Sequence, residues 1–209
     1  MTGRPTQLSP LHIVGAGGLG REALDAAFAC GYRPSGLVLI DDHLSVKKLH
    51  GVAVRRPEEA RSGAYVVAVA DPLLRRSLSE RMLGRGLIPS LLVHPAATIG
   101  HDTSLAGGCI VLANTYVATG AQLSAHTQVQ AGSTIGHDSV LHDYVTVLPG
   151  ADVAGRVVLH GDVTVGHGAR VLPGLVIGPS TCVEAGEVVT HSRLGKAALT
   201  RVRPPAAPG

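Results

Sequence analysis

From Ile99 onward every sixth residue is aliphatic: Leu105, Val111, Val117, Leu123, Val129, Ile135, Leu141, Val147, Val153, Leu159, Val165, Val171, Ile177, Val183 and Val189 follow without a break. A helix, with its period of 3.6, does not generate such a run, and neither does a half-buried strand of period two. A hexapeptide β-solenoid does, because each hexad forms one side of a triangular coil and its aliphatic residue points into the prism. Three hexads make one coil of about eighteen residues, so the run predicts about five coils. Four places after each aliphatic stands, in many hexads, a small or β-branched residue such as Thr103, Cys109, Thr115, Ala121, Thr127, Ser133 or Ser139. That suits a tight corner, and glycines together with Pro149, Pro173 and Pro179 supply turn positions. Such a core is aliphatic throughout, which fits a chain with 45% apolar residues, one Phe (Phe28) and no Trp.

The first ninety-odd residues obey another rule. LHIVGAGGLG reads as a strand entering a Gly-rich turn, REALDAAFACG as an amphipathic helix stopped by Gly31, and GLVLIDD as a second strand. AYVVAVAD reads as a third strand and LLRRSLSERMLGRG as another helix ended by glycine. Strands alternating with helices predict a small parallel α/β domain. We therefore expect a disordered N-terminus over 1–10, an α/β Rossmann-like domain over 11–92, an all-β parallel β-helix over 93–190 and a tail over 191–209, the join lying between Val93 and Ile99.

A net charge of +3 with scattered Lys and Arg, and few aromatics to stack on bases, argues against nucleic-acid binding. Cys30, Cys109 and Cys182 are odd in number and lack CxxC spacing, which fits small apolar fillers in a reducing compartment. No stretch resembles a signal peptide or a membrane span, so a soluble cytoplasmic protein is expected.

Two clusters carry chemistry. Gly15, Gly17, Gly18 and Gly20 form GxGxxG between a strand and a helix, and Asp41 ends the next strand. Glycines let backbone N–H groups and a helix N-terminus approach a phosphate, and Asp41 can accept from a ribose hydroxyl. A dinucleotide, another phosphate-bearing ligand such as a nucleotide-sugar, and a purely structural turn all remain open for this loop. The second cluster is STIGHDSVLHDYVTVLPGA, with His137-Asp138 and His142-Asp143. An imidazole followed by a carboxylate can take a proton from an amine or hydroxyl while the acid fixes its tautomer. In the six-residue register, His137 holds the third place of its hexad, as do His101 and His167. His142 and His160 hold the second place one coil apart and are expected to stack.

The succession of GAGGLGRE, then IDD, LVHPAATIG and hexads containing GHDSVLHDYVTVLPGADVAGRVVLHG resembles the NeuD-type sugar O-acyltransferases. That group includes sialic acid O-acetyltransferases and nucleotide-4-amino-sugar N-acetyltransferases, and the resemblance spans about residues 10 to 190. It implies a left-handed β-helix, a handedness that spacing alone does not give. It further implies a homotrimer, acetyl-CoA in the groove between neighbouring prisms, and a sugar held between the N-terminal domain of one chain and the β-helix of the next. On this resemblance His137 is the general base and Asp138 its acidic partner. Gly15, Gly17, Gly18, Gly20, Asp41, Asp42 and Arg75 match acceptor-binding positions, to which we add Gln130, His142 and Thr146. Gly155 and Ala185 are assigned to the CoA thioester arm and CoA. No metal is expected.

Departures from the family pattern sharpen this expectation. Thr146 stands where a second histidine is usual, Leu19 where a histidine is common, and His142 where glycine is usual. The closing segment SRLGKAALTRVRPPAAPG lacks the family's Gly-x-Pro-Ala, and its basic residues Arg193, Lys196, Arg201 and Arg203 have no assigned partner. Two other classes compete. The spacing of His137 and His142, with His160 above, matches zinc histidines of γ-class carbonic anhydrases, although Ser124 occupies the place of the first ligand. A ligand-binding scaffold without catalysis is the other.

Overall fold

The computed structural model describes residues 10–43 and 45–194. Residues 1–9 of the expected disordered N-terminus, and Lys196, Arg201 and Arg203 of the tail, lie outside the described residues. Among the described residues no helix is long and apolar enough to cross a membrane.

The hexad run folds as a parallel solenoid. Each of its aliphatic residues is the second member of a two-residue strand, from Thr98–Ile99 to Val188–Val189. Strands eighteen residues apart pair in register, as in Gln128↔Thr146 and Val129↔Val147. They stack into three parallel sheets of six, six and five strands. The first sheet contains Leu92–Val93, Ile110–Val111, Gln128–Val129 and Thr146–Val147, the second Thr134–Ile135 and Asp152–Val153, and the third Val140–Leu141 and Val158–Leu159. The strand Leu92–Val93 adds one hexad before Ile99, the first position in the sequence run.

Two features explain why the hexads turn. From Asp102 to Gly186 every sixth residue adopts a positive φ between 55° and 86°. This left-handed residue, three places after the aliphatic, makes each corner, and side chains as large as His126, Tyr144 and Arg156 accept it. The small residue four places after the aliphatic faces inward. Thr115, Thr127, Ser133 and Ser139 each donate a hydroxyl hydrogen bond to the carbonyl fifteen residues on, in the coil above. Where this place is Val145, Val157 or Val163, the side chain is fully buried and fills the prism instead. Burying each such aliphatic contributes about 1.5–3 kcal/mol.

The N-terminal unit is a six-stranded sheet in the order β3-β4-β2-β1-β5-β6. Its strands are β1 (Leu11–Val14), β2 (Leu37–Ile40), β3 (Lys48–Leu49), β4 (Val52–Arg55), β5 (Ala64–Val67) and β6 (Ile88–Pro89). All neighbours are parallel except β3 with β4. The β3–β4 pair was not expected from the sequence, because two- and four-residue strands flanking His50-Gly51 carry too short a pattern. Helices α1 (Gly18–Ala29) and α2 (Pro72–Leu83) occupy the two expected helical stretches. Asp71 caps α2 by accepting from the Leu74 N–H at 2.7 Å.

The unit is fastened to the corner between the third and first sheets. There, His126 stacks on Tyr144 at 5.0 Å between ring centroids and shares a hydrogen bond with Ser79 at 2.9 Å; Ser79 in turn bonds the Tyr65 hydroxyl at 2.8 Å. Arg76 lies over the Tyr144 ring and pairs with Asp162 at 2.7 Å. Burial, aided by the nearby Arg75 cation and opposed by Asp143, pulls the His126 pKa down to about 4. The unfolded chain therefore binds a proton near pH 6.5 that the folded chain refuses until about pH 4. Stability from this group is present above pH 6.5 and lost as pH falls toward 4. We expect the melting temperature to drop across that window, and His126→Asn, which suits a left-handed corner, to flatten the drop in thermal melts at matched pH.

Candidate active site

His137 and Asp138 sit at the corner that follows the second sheet. In an extended strand, adjacent side chains point to opposite faces. Here Asp138 is the left-handed corner residue, φ 59°, and the reversal brings its carboxylate back beside the preceding imidazole. Asp138 Oδ2 lies 2.8 Å from His137 Nδ1. The carboxylate thereby selects the tautomer with the proton on Nδ1 and leaves Nε2 as the basic nitrogen. Both side chains are about half exposed, 50% and 58%, so the pair faces outward.

The next coil leaves room for the ring. A Cβ added at Gly155 would lie 2.5 Å from His137 Nε2 and under 3 Å from two ring carbons. The bare nitrogen thus lies over a notch one coil above. Gly155 does not hold a positive φ, so an alanine there meets the ring without backbone strain. We expect Gly155→Ala to leave thermal stability nearly unchanged while lowering kcat about 10- to 100-fold, since displacements of about an ångström have that effect; steady-state kinetics and a melt check both.

The turn after β1 is organised by Asp41. Gly15, φ 95°, follows β1, Gly17 precedes α1 without a side-chain cap, Gly18 starts the helix and Gly20 is buried in its first turn. Asp41 Oδ2 accepts from the Ala16 N–H at 2.9 Å and Oδ1 from the His43 N–H at 2.8 Å. Asp42 pairs with Arg81 at 2.7 Å, and Arg81 also holds Glu58. Beside them a cleft of about 340 Å³ opens at the carboxyl ends of β2 and β4, lined by Asp41, Ser45, Lys47, Arg55, Arg56 and Glu59. Sequence reading missed Arg81, which neutralises Asp42, because its partner lies 39 residues away.

Arg75, Gln130 and Thr146 are buried. Arg75 Nη1 donates to the Val69 and Ala70 carbonyls at 2.8 and 3.0 Å, and Nη2 to the Tyr144 carbonyl and to Thr146 Oγ1 at 2.9 Å. Thr146 Oγ1 donates to the Ala70 carbonyl at 2.8 Å. Gln128, not singled out from sequence, donates to the Val67 carbonyl at 2.7 Å in the same seam. Burial lowers the Arg75 pKa to about 10, which keeps the guanidinium charged at neutral pH. Arg75→Met would strand these carbonyls, and we expect it to destabilise the fold by about 2–4 kcal/mol in urea unfolding.

The remaining positions are separate. His142 and His160 stack at 5.0 Å with planes 6° apart, on a different corner from His137. Ala185 is exposed near the last coil, and Arg193, which had no assigned partner, bridges to Ile177 and pairs with Glu187. Among the described residues no three His, Cys, Asp or Glu side chains are grouped to hold a metal ion.

The chain is thus a hexad solenoid bearing a solvent-facing His–Asp pair over a notch, with an α/β unit fastened to its flank. No model of a known protein family matches the chain. It is 30% identical over 155 residues to GDP-perosamine N-acetyltransferase of Escherichia coli O157:H7, covering 69% of this chain and 70% of that one. Among solved structures, the acetyltransferase domain of PglB from Neisseria gonorrhoeae FA1090 superposes with a TM-score of 0.82 at 27% identity, over 88% of this chain and 92% of that one. PerB from Caulobacter crescentus, solved in complex with CoA and GDP-perosamine, has a TM-score of 0.80 at 26% identity, over 88% of this chain and 90% of that one. The chain belongs to the nucleotide-amino-sugar acetyltransferases of the hexapeptide-repeat family. It is therefore an acyltransferase.

Proposed function

We propose that this chain acetylates the amine of a nucleotide-linked amino sugar, with His137 as the general base. The observation that carries the reading is the His137–Asp138 pair, with Nδ1 held at 2.8 Å and Nε2 left over the Gly155 notch. The amine nitrogen attacks the thioester carbonyl as its proton passes to Nε2. The C–S bond then breaks, and the same proton leaves with the thiol of CoA. Asp138 holds the ring and balances the imidazolium formed in between. Backbone N–H groups of the Gly155 coil are the donors suited to the developing oxyanion.

The N-terminal unit, over about residues 11–92, is proposed to be a Rossmann-like acceptor domain. In open parallel sheets, ligands bind beyond the carboxyl ends of the strands. The cleft there brings Lys47, Arg55 and Arg56 together, cations suited to a nucleotide diphosphate. The bound nucleotide-sugar of the Caulobacter relative supports the same class of acceptor. Arg75 and Thr146 then act by fixing this domain to the prism, while Asp41 and Asp42 shape its rim. The domain grips the corner before the first sheet, whereas the dyad is on the corner after the second. A site built from both calls for a neighbouring copy, and we propose a homotrimer of left-handed prisms with acetyl-CoA between them, near Gly155 and Ala185.

Release of CoA thiol from acetyl-CoA, measured with GDP-perosamine and other nucleotide amino sugars, tests the reading. His137→Ala should lower kcat by about 100- to 10,000-fold, with the mass of three chains retained in light scattering. Near-full turnover in that variant would remove His137 from the mechanism.

A further inference from the structure

Asp138 meets a second gap, on the coil below. A Cβ added at Gly120, eighteen residues earlier, would lie 2.5 Å from Asp138 Oδ1. The dyad is thus bracketed along the solenoid axis: the carboxylate lies against the bare backbone of Gly120, the imidazole against that of Gly155. Gly120 is also a left-handed corner residue, φ 70°. Its backbone conformation does not distinguish it, because Gly132 and Gly150 hold φ of 69° and 68° at equivalent corners. Those two, however, have nothing within 4 Å of an added Cβ. Conformation explains a glycine at all three positions; the approach of a carboxylate separates Gly120 from the other two.

We infer that Gly120 is a positioning residue for the reaction: its missing side chain is the seat that holds the Asp138 carboxylate against His137 Nδ1. The inference rests on the dyad reading above. The obstructing atom would be the end of a short side chain, so a methyl group at position 120 pushes the carboxylate aside and leaves the coil standing. The imidazole then loses its acceptor at Nδ1, and with it the tautomer that presents Nε2 as a base. On the dyad reading Asp138 serves His137, so substrate binding is expected to be unchanged.

The experiment compares Gly120→Ala with Gly132→Ala and Gly150→Ala, which carry the same left-handed strain. All three should lose a similar few degrees of melting temperature. Gly120→Ala alone should lose about 10- to 100-fold in kcat, with KM for acetyl-CoA and the sugar nucleotide within about twofold of the parent. A double-mutant cycle separates positioning from damage to the fold. In an Asp138→Gly background, which suits that corner's φ of 59°, adding Gly120→Ala should cost little more, because no carboxylate remains to be displaced. If Gly120→Ala folds poorly, Gly120→Asn replaces it with Gly132→Asn as control; Asn114 already holds φ 58° at an equivalent corner. Equal kcat in Gly120→Ala and its controls, or a full further loss in the Asp138→Gly background, would overturn the inference. Full activity in His137→Ala would instead overturn the base assignment, so the two failures are distinguishable.

Discussion

The left-handed residue at every sixth position is the constraint on which the rest of this structure depends. It turns the chain between two-residue strands, and so allows three short pairings per coil to stack into three continuous sheets. It also sets which side chains meet. A strand would separate neighbouring residues onto opposite faces. The corner instead brings His137 and Asp138 together, making a hydrogen-bonded pair from consecutive residues. The same backbone state in the adjoining coils determines where Gly120 and Gly155 fall relative to that pair.

Stacking supplies the second half of the site's logic. Every residue has a neighbour eighteen places away in each direction, so a side chain is conditioned less by its sequence neighbours than by its column. In one column His137 lies beneath Gly155; in the next, Asp138 lies above Gly120. On another corner the same rule stacks His142 on His160 and His126 on Tyr144. The first of these stacks is a half-buried pair on the prism, whereas the second is part of the seam that holds the N-terminal unit.

Much of this was legible in sequence, for a definite reason. The aliphatic run has a period no other element shares, and it located each solenoid strand from Thr98 to Val189 in register. The stacking of His142 on His160 followed from the same count, whereas the His137–Asp138 pair was read from the dipeptide itself and from the resemblance. What escaped was whatever depends on contacts across the seam. Arg75, matched to an acceptor position by the resemblance, and Thr146, added to that set, bond to each other and to the carbonyls of the junction. Gln128 and His126 gave no warning, because a polar residue buried between two units looks like any outward residue of a hexad, and Ser79 looks like any polar residue of helix α2. The residue four places after the aliphatic was read as small for steric reasons; its hydroxyls in fact close a bond to the coil above. The corner itself was visible in retrospect, since Gly, Asp and Asn recur three places after the aliphatic.

A stack of identical rungs is also a ruler with fixed graduations. Parallel strands repeat at about 4.8 Å, and any functional group on a corner can be moved along the axis only by whole rungs, each eighteen residues of chain. The height of the His137 dyad relative to the seam at Thr146 is therefore set in integers. Insertion of one or two residues would not shift the base slightly; it would send the following side chains to the wrong face or break the corner. Fine adjustment of the site has to come instead from the size of the residues directly above and below it in the column, which is where this chain has placed glycine.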